Sequence, residues 1–246
     1  MDRMTRFAVA GAKGRMGQAV IRVLTERGLD IAATFDKGDE IDLSNADAVI
    51  DFTTPNATLA IAEACAAAGG KVHVIGSTGF MPEQETALNA YHGRNVVIRS
   101  GNFSLGVNIL MGLVKQAAAK LDALEWDIEV TEAHHKRKVD APSGTALMLG
   151  HAAADGRGVS LHNAKVAARD GLTGQREPGT IGFSVIRGGG IVGEHSVLFA
   201  AEDELITLSH SARDRTLFAR GAVEAALFGV KQSPGLYDMQ DVLGFN

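Results

Sequence analysis

Along the first hundred residues, short apolar runs alternate with longer stretches in which apolar residues recur every three or four positions. The runs RFAVA (6–10), DIAATF (30–35), AVIDF (48–52), VHVI (72–75) and NVVIR (95–99) read as β-strands. Between them, GRMGQAVIRVLTERG carries an amphipathic helical period that ends at Gly28, and PNATLAIAEACAAAGG opens on a proline and stops at a glycine pair. Strands that alternate with helices are joined by crossovers, so a parallel sheet is expected. Only about twelve residues separate the second and third strands, too few for a crossover helix with its loops, and a plain loop is expected there.

Past residue 103 the pattern changes. LGVNILMGLVKQAAAKL is helical, WDIEVTEAHH alternates as a strand does, and a helical run follows Ser143. Glycine-punctuated strands then come in GTIGFSVIRGGGIVGEHSVLFAA and ELITLSHSA, with the spacing of hairpins, before RTLFARGAVEAALFGV returns to helix. These features predict an α/β protein with two parts: an N-terminal Rossmann-type parallel sheet, and an α+β C-terminal domain with an open mixed sheet.

Composition narrows the partners. A net charge of -5 argues against broad binding to nucleic acid or a membrane surface, since either would require a basic face. The short apolar run FAVAGA before Lys13 reads as neither a signal peptide nor a membrane span, so a cytoplasmic protein is expected. The single cysteine, Cys65, lies inside an Ala-rich helix and reads as a small packing residue.

The candidate chemistry begins at VAGAKGRMG. Gly11, Gly14 and Gly17 follow the first strand and open a helix, where a tight turn and amides at a positive helix end can approach a pyrophosphate. Asp36 closes the second strand, the position of a ribose-binding acid. Lys37 beside it could instead pair with a 2′-phosphate, so NAD and NADP both remain open. The loops GSTG (76–79) and SGNF (100–103) fall at the carboxyl ends of later strands, where ligands of parallel sheets bind.

The second cluster is EAHHKRKVDAPSGTA, residues 132–146. His134 and His135 leave a strand toward opposite sides, and no spaced cysteines or carboxylates accompany them, so no metal site is expected. Pro142 fixes the approach to Ser143, a good N-cap, and Gly144 and Thr145 open a helix whose positive end suits an anion. With His134, His135, Lys136, Arg137 and Lys138 nearby, a small polyanionic substrate is indicated, most simply a carboxylate compound. Histidine suits acid–base work near neutrality, and a lysine among other cations can have its pKa lowered toward that range. Lys136 and Arg137 could as easily face solvent.

EAHHKRKVDAPSGTA resembles the signature of the 4-hydroxy-tetrahydrodipicolinate (dihydrodipicolinate) reductase family, E-x-HH-x-x-K-x-DAPSGTA. VAGAKGRMG, DFTTP, GSTGF, NFSLGVN, PGTIGFSVIRGGGIVGEHSVLF and GLYDMQDVLG also resemble family blocks, in family order, over essentially the whole chain. The resemblance implies an NAD(P)H-dependent reduction, with loss of water, in lysine biosynthesis through diaminopimelate. It implies His134 as the acid–base residue and Lys138 as proton donor, with His135, Ser143, Gly144 and Thr145 contacting substrate. NADH or NADPH would be held by Gly11, Ala12, Lys13, Gly14, Arg15, Met16, Asp36, Lys37, Gly76, Ser77, Thr78, Ser100, Gly101, Asn102 and Phe103. Lys37 stands where the family often has Arg, and Ser77 where it often has Thr. The family further implies a homotetramer joined through its second domains, and a dinucleotide domain of residues 1–102 and 213–246 around a substrate and tetramerisation domain of 103–212.

Other nicotinamide enzymes fit less well. An acylating aldehyde dehydrogenase requires an exposed catalytic cysteine, and a short-chain dehydrogenase requires Tyr-x-x-x-Lys, whereas Tyr91 and Tyr237 are followed four residues later by Asn95 and Asp241. A non-catalytic dinucleotide sensor would keep the glycine loop without needing the histidines and lysine.

Overall fold

Both expected sheets form. A computed structural model describes residues 4–167 and 169–246. The chain begins with β1 (Arg6–Ala10), α1 (Arg15–Glu26), β2 (Asp30–Phe35), β3 (Ala48–Asp51), α2 (Pro55–Ala67), β4 (Val72–Ile75), α3 (Pro82–Asn89) and β5 (Val96–Arg99). It continues through α4 (Leu105–Lys120), β6 (Asp127–His134), α5 (Gly144–Arg157), α6 (Leu161–Ala164), β7 (Lys165–Val166), β8 (Ile181–Arg187), β9 (Glu194–Ala200) and β10 (Leu205–Ser211). It closes with α7 (Thr216–Gly229), β11 (Gly235–Tyr237) and α8 (Met239–Leu243). Two units result: residues up to Leu105 together with Arg215–Asn246, and Gly106–Asp214. Among the described residues no helix is long and apolar enough to cross a membrane.

In the first unit six parallel strands are ordered β11-β5-β4-β3-β1-β2. β3 and β4 are buried at every position because helices cover both faces of the sheet. Phe7, Val9, Ile50, Val74 and Ile98 pack with Val20 and Leu24 of α1 and Ala222 and Ala226 of α7. Ala8, Ala10 and Val49 pack on the other face with Ile61 and Cys65 of α2. β2, at the sheet's edge, instead alternates exposed with half-buried positions up to the buried Phe35. No helix links β2 to β3, as the short spacing requires. The strand order reverses between β1 and β3, the crevice where sheets of this kind bind ligands.

The second unit is a five-stranded mixed sheet ordered β10-β9-β6-β8-β7. Ile128, Val130, Ile181, Phe183, Val197 and Phe199 point to one face and pack against Val114, Leu149 and Ala153 of α4 and α5. β9 and β10 form a hairpin, but β8 and β9 do not: β6 lies between them, parallel to β8 and antiparallel to β9. The glycine run that suggested a hairpin turn instead crosses the end of β6, where Gly188 N–H donates to His134 O at 2.9 Å and Lys136 N–H to Gly189 O at 3.3 Å.

Close helix packing in the first unit relies on a missing side chain. A Cβ on Gly221 of α7 would stand 1.6 Å from the carbonyl oxygen of Phe103, a backbone atom that cannot rotate away. Gly221→Ala is expected to destabilise the protein by about 1–3 kcal/mol, read as a lower midpoint in chemical unfolding. An unchanged midpoint would show that α7 can lift off without cost.

Candidate active site

In the second unit one carboxylate gathers the site. On β6, Glu132 and His134 are two residues apart and so share the helix-covered face. Glu132 is 1% exposed, and four donors converge on it. His134 Nδ1 lies 2.5 Å from Oε2, the Ser143 N–H donates to Oε1 at 2.9 Å, and Arg187 of β8 donates from Nη1 and Nη2 at 2.8 Å each. Burial alone would raise the Glu132 pKa. The bonds from Arg187, His134 and Ser143 outweigh it and hold the carboxyl below the usual range. An ionised carboxylate only accepts, so His134 carries a proton on Nδ1 and its Nε2 is left for exchange. Gly193 leaves that nitrogen uncovered, since a Cβ there would come within 3.1 Å of Nε2.

Ser143 caps α5, its Oγ accepting from Ala146 N–H at 3.2 Å. The positive end of that helix begins at Gly144, which is exposed and faces open space. His195 of β9, opposite Glu132 in the register, places Nε2 3.3 Å from Ser143 Oγ and its ring edge-on to His134, with centroids 5.0 Å apart. Lys138 is paired with Asp140 at 2.9 Å, so an acid, and not only the expected neighbouring cations, sets its surroundings. His135 is half-buried with an unpartnered Nδ1, while Lys136 and Arg137 are exposed.

In the first unit the glycine loop fits a dinucleotide. Gly11 has φ +69°, Gly14 N–H donates to Gly11 O at 2.9 Å, and a Cβ on Gly17 would lie 2.1 Å from that same oxygen. Gly14, the N-cap of α1, supplies no side-chain acceptor, so the helix end stays suited to a phosphate. Asp36 sits directly beside the loop, accepting from Lys13 N–H at 3.2 Å on each oxygen. Lys13, Arg15 and Lys37 are exposed, Met16 is half-buried and Ala12 is buried. Ser77 is buried with its hydroxyl turned inward, leaving Gly76, Thr78, Ser100 and Gly101 at the surface of their loops. The Phe103 side chain is 2% exposed in the core, so a ligand could meet only its backbone, and Asn102 is spent on Ser104 N–H at 2.8 Å.

Family models agree with both halves. Residues 5–103 match dihydrodipicolinate reductase, N-terminus, and 106–243 match dihydrodipicolinate reductase, C-terminus. The chain belongs to the dihydrodipicolinate reductase family. A relative named 4-hydroxy-tetrahydrodipicolinate reductase from Caulobacter vibrioides is 59% identical, covering 100% of this chain and 99% of its own. One of the same name from Allorhizobium ampelinum is 49% identical over 98% of each. Among solved structures, dipicolinate-bound dihydrodipicolinate reductase from Paenisporosarcina sp. TG-14 is similar at TM-score 0.74 and 24% identity, covering 97% of this chain and 99% of that one. As in the family, the first unit is an NAD(P)-binding domain and the protein is an NAD(P)H-dependent oxidoreductase. The thiol required by an acylating dehydrogenase is missing in chemical terms too, since burial and the nearby Asp51 charge push Cys65 up to about 12.

Glu132, Arg187 and His195 join the site without any role expected of them from the sequence. The spacing of Glu132 and His134 was available as a signal; the convergence of β8 and β9 on them was not. Burial, followed by the nearby His134, pushes His195 down to about 4. The unfolded chain accepts a proton near the ordinary value of 6.5, so the folded state loses stability as pH falls from about 6.5 toward 4. His195→Gln is expected to flatten this slope in urea unfolding measured across that range. An unaltered slope would contradict the assignment.

Proposed function

We propose that the protein is a 4-hydroxy-tetrahydrodipicolinate reductase, converting (2S,4S)-4-hydroxy-2,3,4,5-tetrahydrodipicolinate, NAD(P)H and a proton to 2,3,4,5-tetrahydrodipicolinate, NAD(P)+ and water in L-lysine biosynthesis through diaminopimelate. The observation that carries this reading is the buried Glu132–His134 pair, anchored to the N-terminus of α5 by Ser143 in a chain that belongs to this reductase family. Bound NAD(P)H supplies the hydride. Gly11 to Met16 cradle the pyrophosphate and Asp36 takes the ribose hydroxyls, while Lys37 leaves a 2′-phosphate acceptable, so the site is open to NADH and to NADPH. The loops Gly76–Thr78 and Ser100–Phe103 meet the rest of the dinucleotide.

The substrate is a small dicarboxylate, in accord with the dipicolinate bound by the Paenisporosarcina enzyme. Gly144 and Thr145, at the positive helix end, receive one carboxylate, with Ser143 holding the turn and His135 adding a contact. His134, with Nδ1 fixed by Glu132, exchanges a proton at Nε2, and Lys138 delivers one to the reduced substrate. The clustered cations stabilise the bound dianion.

The second unit's sheet also supports the homotetramer expected for the family, since its face away from α4 and α5 exposes the apolar side chains of Ile186 and Leu205. A cytoplasmic location follows from the biosynthetic role.

The test is oxidation of NADH and NADPH, followed by absorbance, with a synthase supplying the unstable substrate. Turnover with at least one cofactor is expected, and no oxidation of either would overturn the reading. Lys138→Ala should lower kcat by about 10²-fold or more while NADH binding is retained; unchanged turnover would remove Lys138 as proton donor.

A further inference from the structure

Beneath the first unit's Gly76–Gly79 loop lies a buried polar cluster that the reaction as derived does not use. Asp51, the last residue of β3, and His73 of β4 are both fully buried on a sheet covered by helices, where an unpaired polar group is costly. Asp51 Oδ1 accepts from Thr53 N–H at 2.8 Å and Thr53 Oγ at 2.5 Å. Its Oδ2 accepts from Thr58 Oγ of α2 at 2.6 Å and lies 3.2 Å from His73 Nε2. Burial would raise the Asp51 pKa, but the bonds from His73, Thr53 and Thr58 hold it below its ordinary value. The carboxylate is therefore acceptor only, and the one proton on Thr58 Oγ is committed to it. With that proton committed, Ser77 donates across the 3.0 Å contact to Thr58 Oγ, and its hydroxyl also lies 3.5 Å from Asp51 Oδ1.

This chain of bonds ends at Ser77, inside one dinucleotide loop, and at Thr53, which packs against the other. Through Thr58 it holds Ser77 inward and fixes the loop after β4. Through Thr53 it reaches the glycine loop, because Thr53 Cγ2 is only 3.0 Å from where a Cβ on Gly11 would stand. The loop after β4 has no slack on its other side, since a Cβ on Gly76 would collide with the Phe52 ring at 2.1 Å. Outside it is a cavity of about 320 Å³ lined by Ser77, Thr78, Gly79, Arg99, Ser100 and Gly101. We propose that Asp51 is a positioning residue for the dinucleotide, one buried carboxylate that sets the Gly11 loop and the Gly76–Gly79 loop at the spacing the cofactor requires. The proposal rests on the reading of the chain as an NAD(P)H-dependent reductase.

The decisive variant is Thr58→Val, which keeps the shape of the side chain and removes the Thr58 link from Asp51 to Ser77, leaving only the 3.5 Å contact of Ser77 Oγ with Asp51 Oδ1, without touching either loop. Isothermal titration of the full-length protein with NADH and with NADPH is expected to show Kd raised on the order of tenfold. The KM for the dinucleotide rises in parallel while kcat stays near the wild-type value, and Thr58→Ser restores both. Asp51→Asn gives at least as large a loss where it folds; the Thr58 pair decides the question where it does not. A Thr58→Val protein with a lower unfolding temperature but wild-type Kd would overturn the proposal, since a purely structural network predicts that result. Wild-type protein that binds neither dinucleotide would overturn the reductase reading and the proposal with it. Wild-type binding with an unaffected variant removes the proposal alone.

Discussion

The second unit's site depends on a single ionised carboxylate kept out of water. A buried charge with one partner removed typically costs several kcal/mol, and the Glu132 carboxylate is tolerated because Arg187, His134 and the Ser143 amide satisfy both of its oxygens. These donors come from β6, β8 and the start of α5, so the same bonds that make the charge acceptable lock three elements together. They also leave His134 one tautomer, and they hold the N-cap of α5, the helix proposed to receive the substrate's anion. Site chemistry and local stability are here the same set of hydrogen bonds.

The first unit repeats this economy with different residues. Asp51 lies at the carboxyl end of β3, beside the point where the sheet's order reverses. Its bonds run to Thr58 and Ser77 on one side and to Thr53 on the other, and Gly11 leaves room for the Thr53 side chain against the glycine loop. In both units a buried acid on a central strand is satisfied by donors from neighbouring elements and loops.

Much of this was legible from the sequence, for identifiable reasons. β1, β2 and β4 stand at the expected residues because continuous or alternating apolar runs bounded by glycine or turn residues leave few alternatives. His134, Lys138, Ser143 and Gly144 could be found together because one strand–loop–helix segment carries them all. α3 was missed because PEQETALN has no apolar stripe; it starts through Pro82 and a bond from Met81 N–H to Gln84 Oε1 at 2.8 Å. β7 and β11 are two and three residues long and exist only by pairing with β8 and β5. The place of β6 between β8 and β9 follows from long-range packing that local periodicity does not encode. For the same reason Arg187, 55 residues beyond Glu132, and His195, 52 beyond Ser143, could not be assigned to the site.

The central claim, that Glu132 fixes His134 for proton exchange at Nε2, is tested most directly by nitrogen NMR of histidine-labelled protein. In the neutral ring, the His134 signals should show the proton on Nδ1 and an unprotonated Nε2. A neutral His134 with the proton on Nε2 would contradict the account, because its Nδ1 would then face an ionised Glu132 with no proton to share.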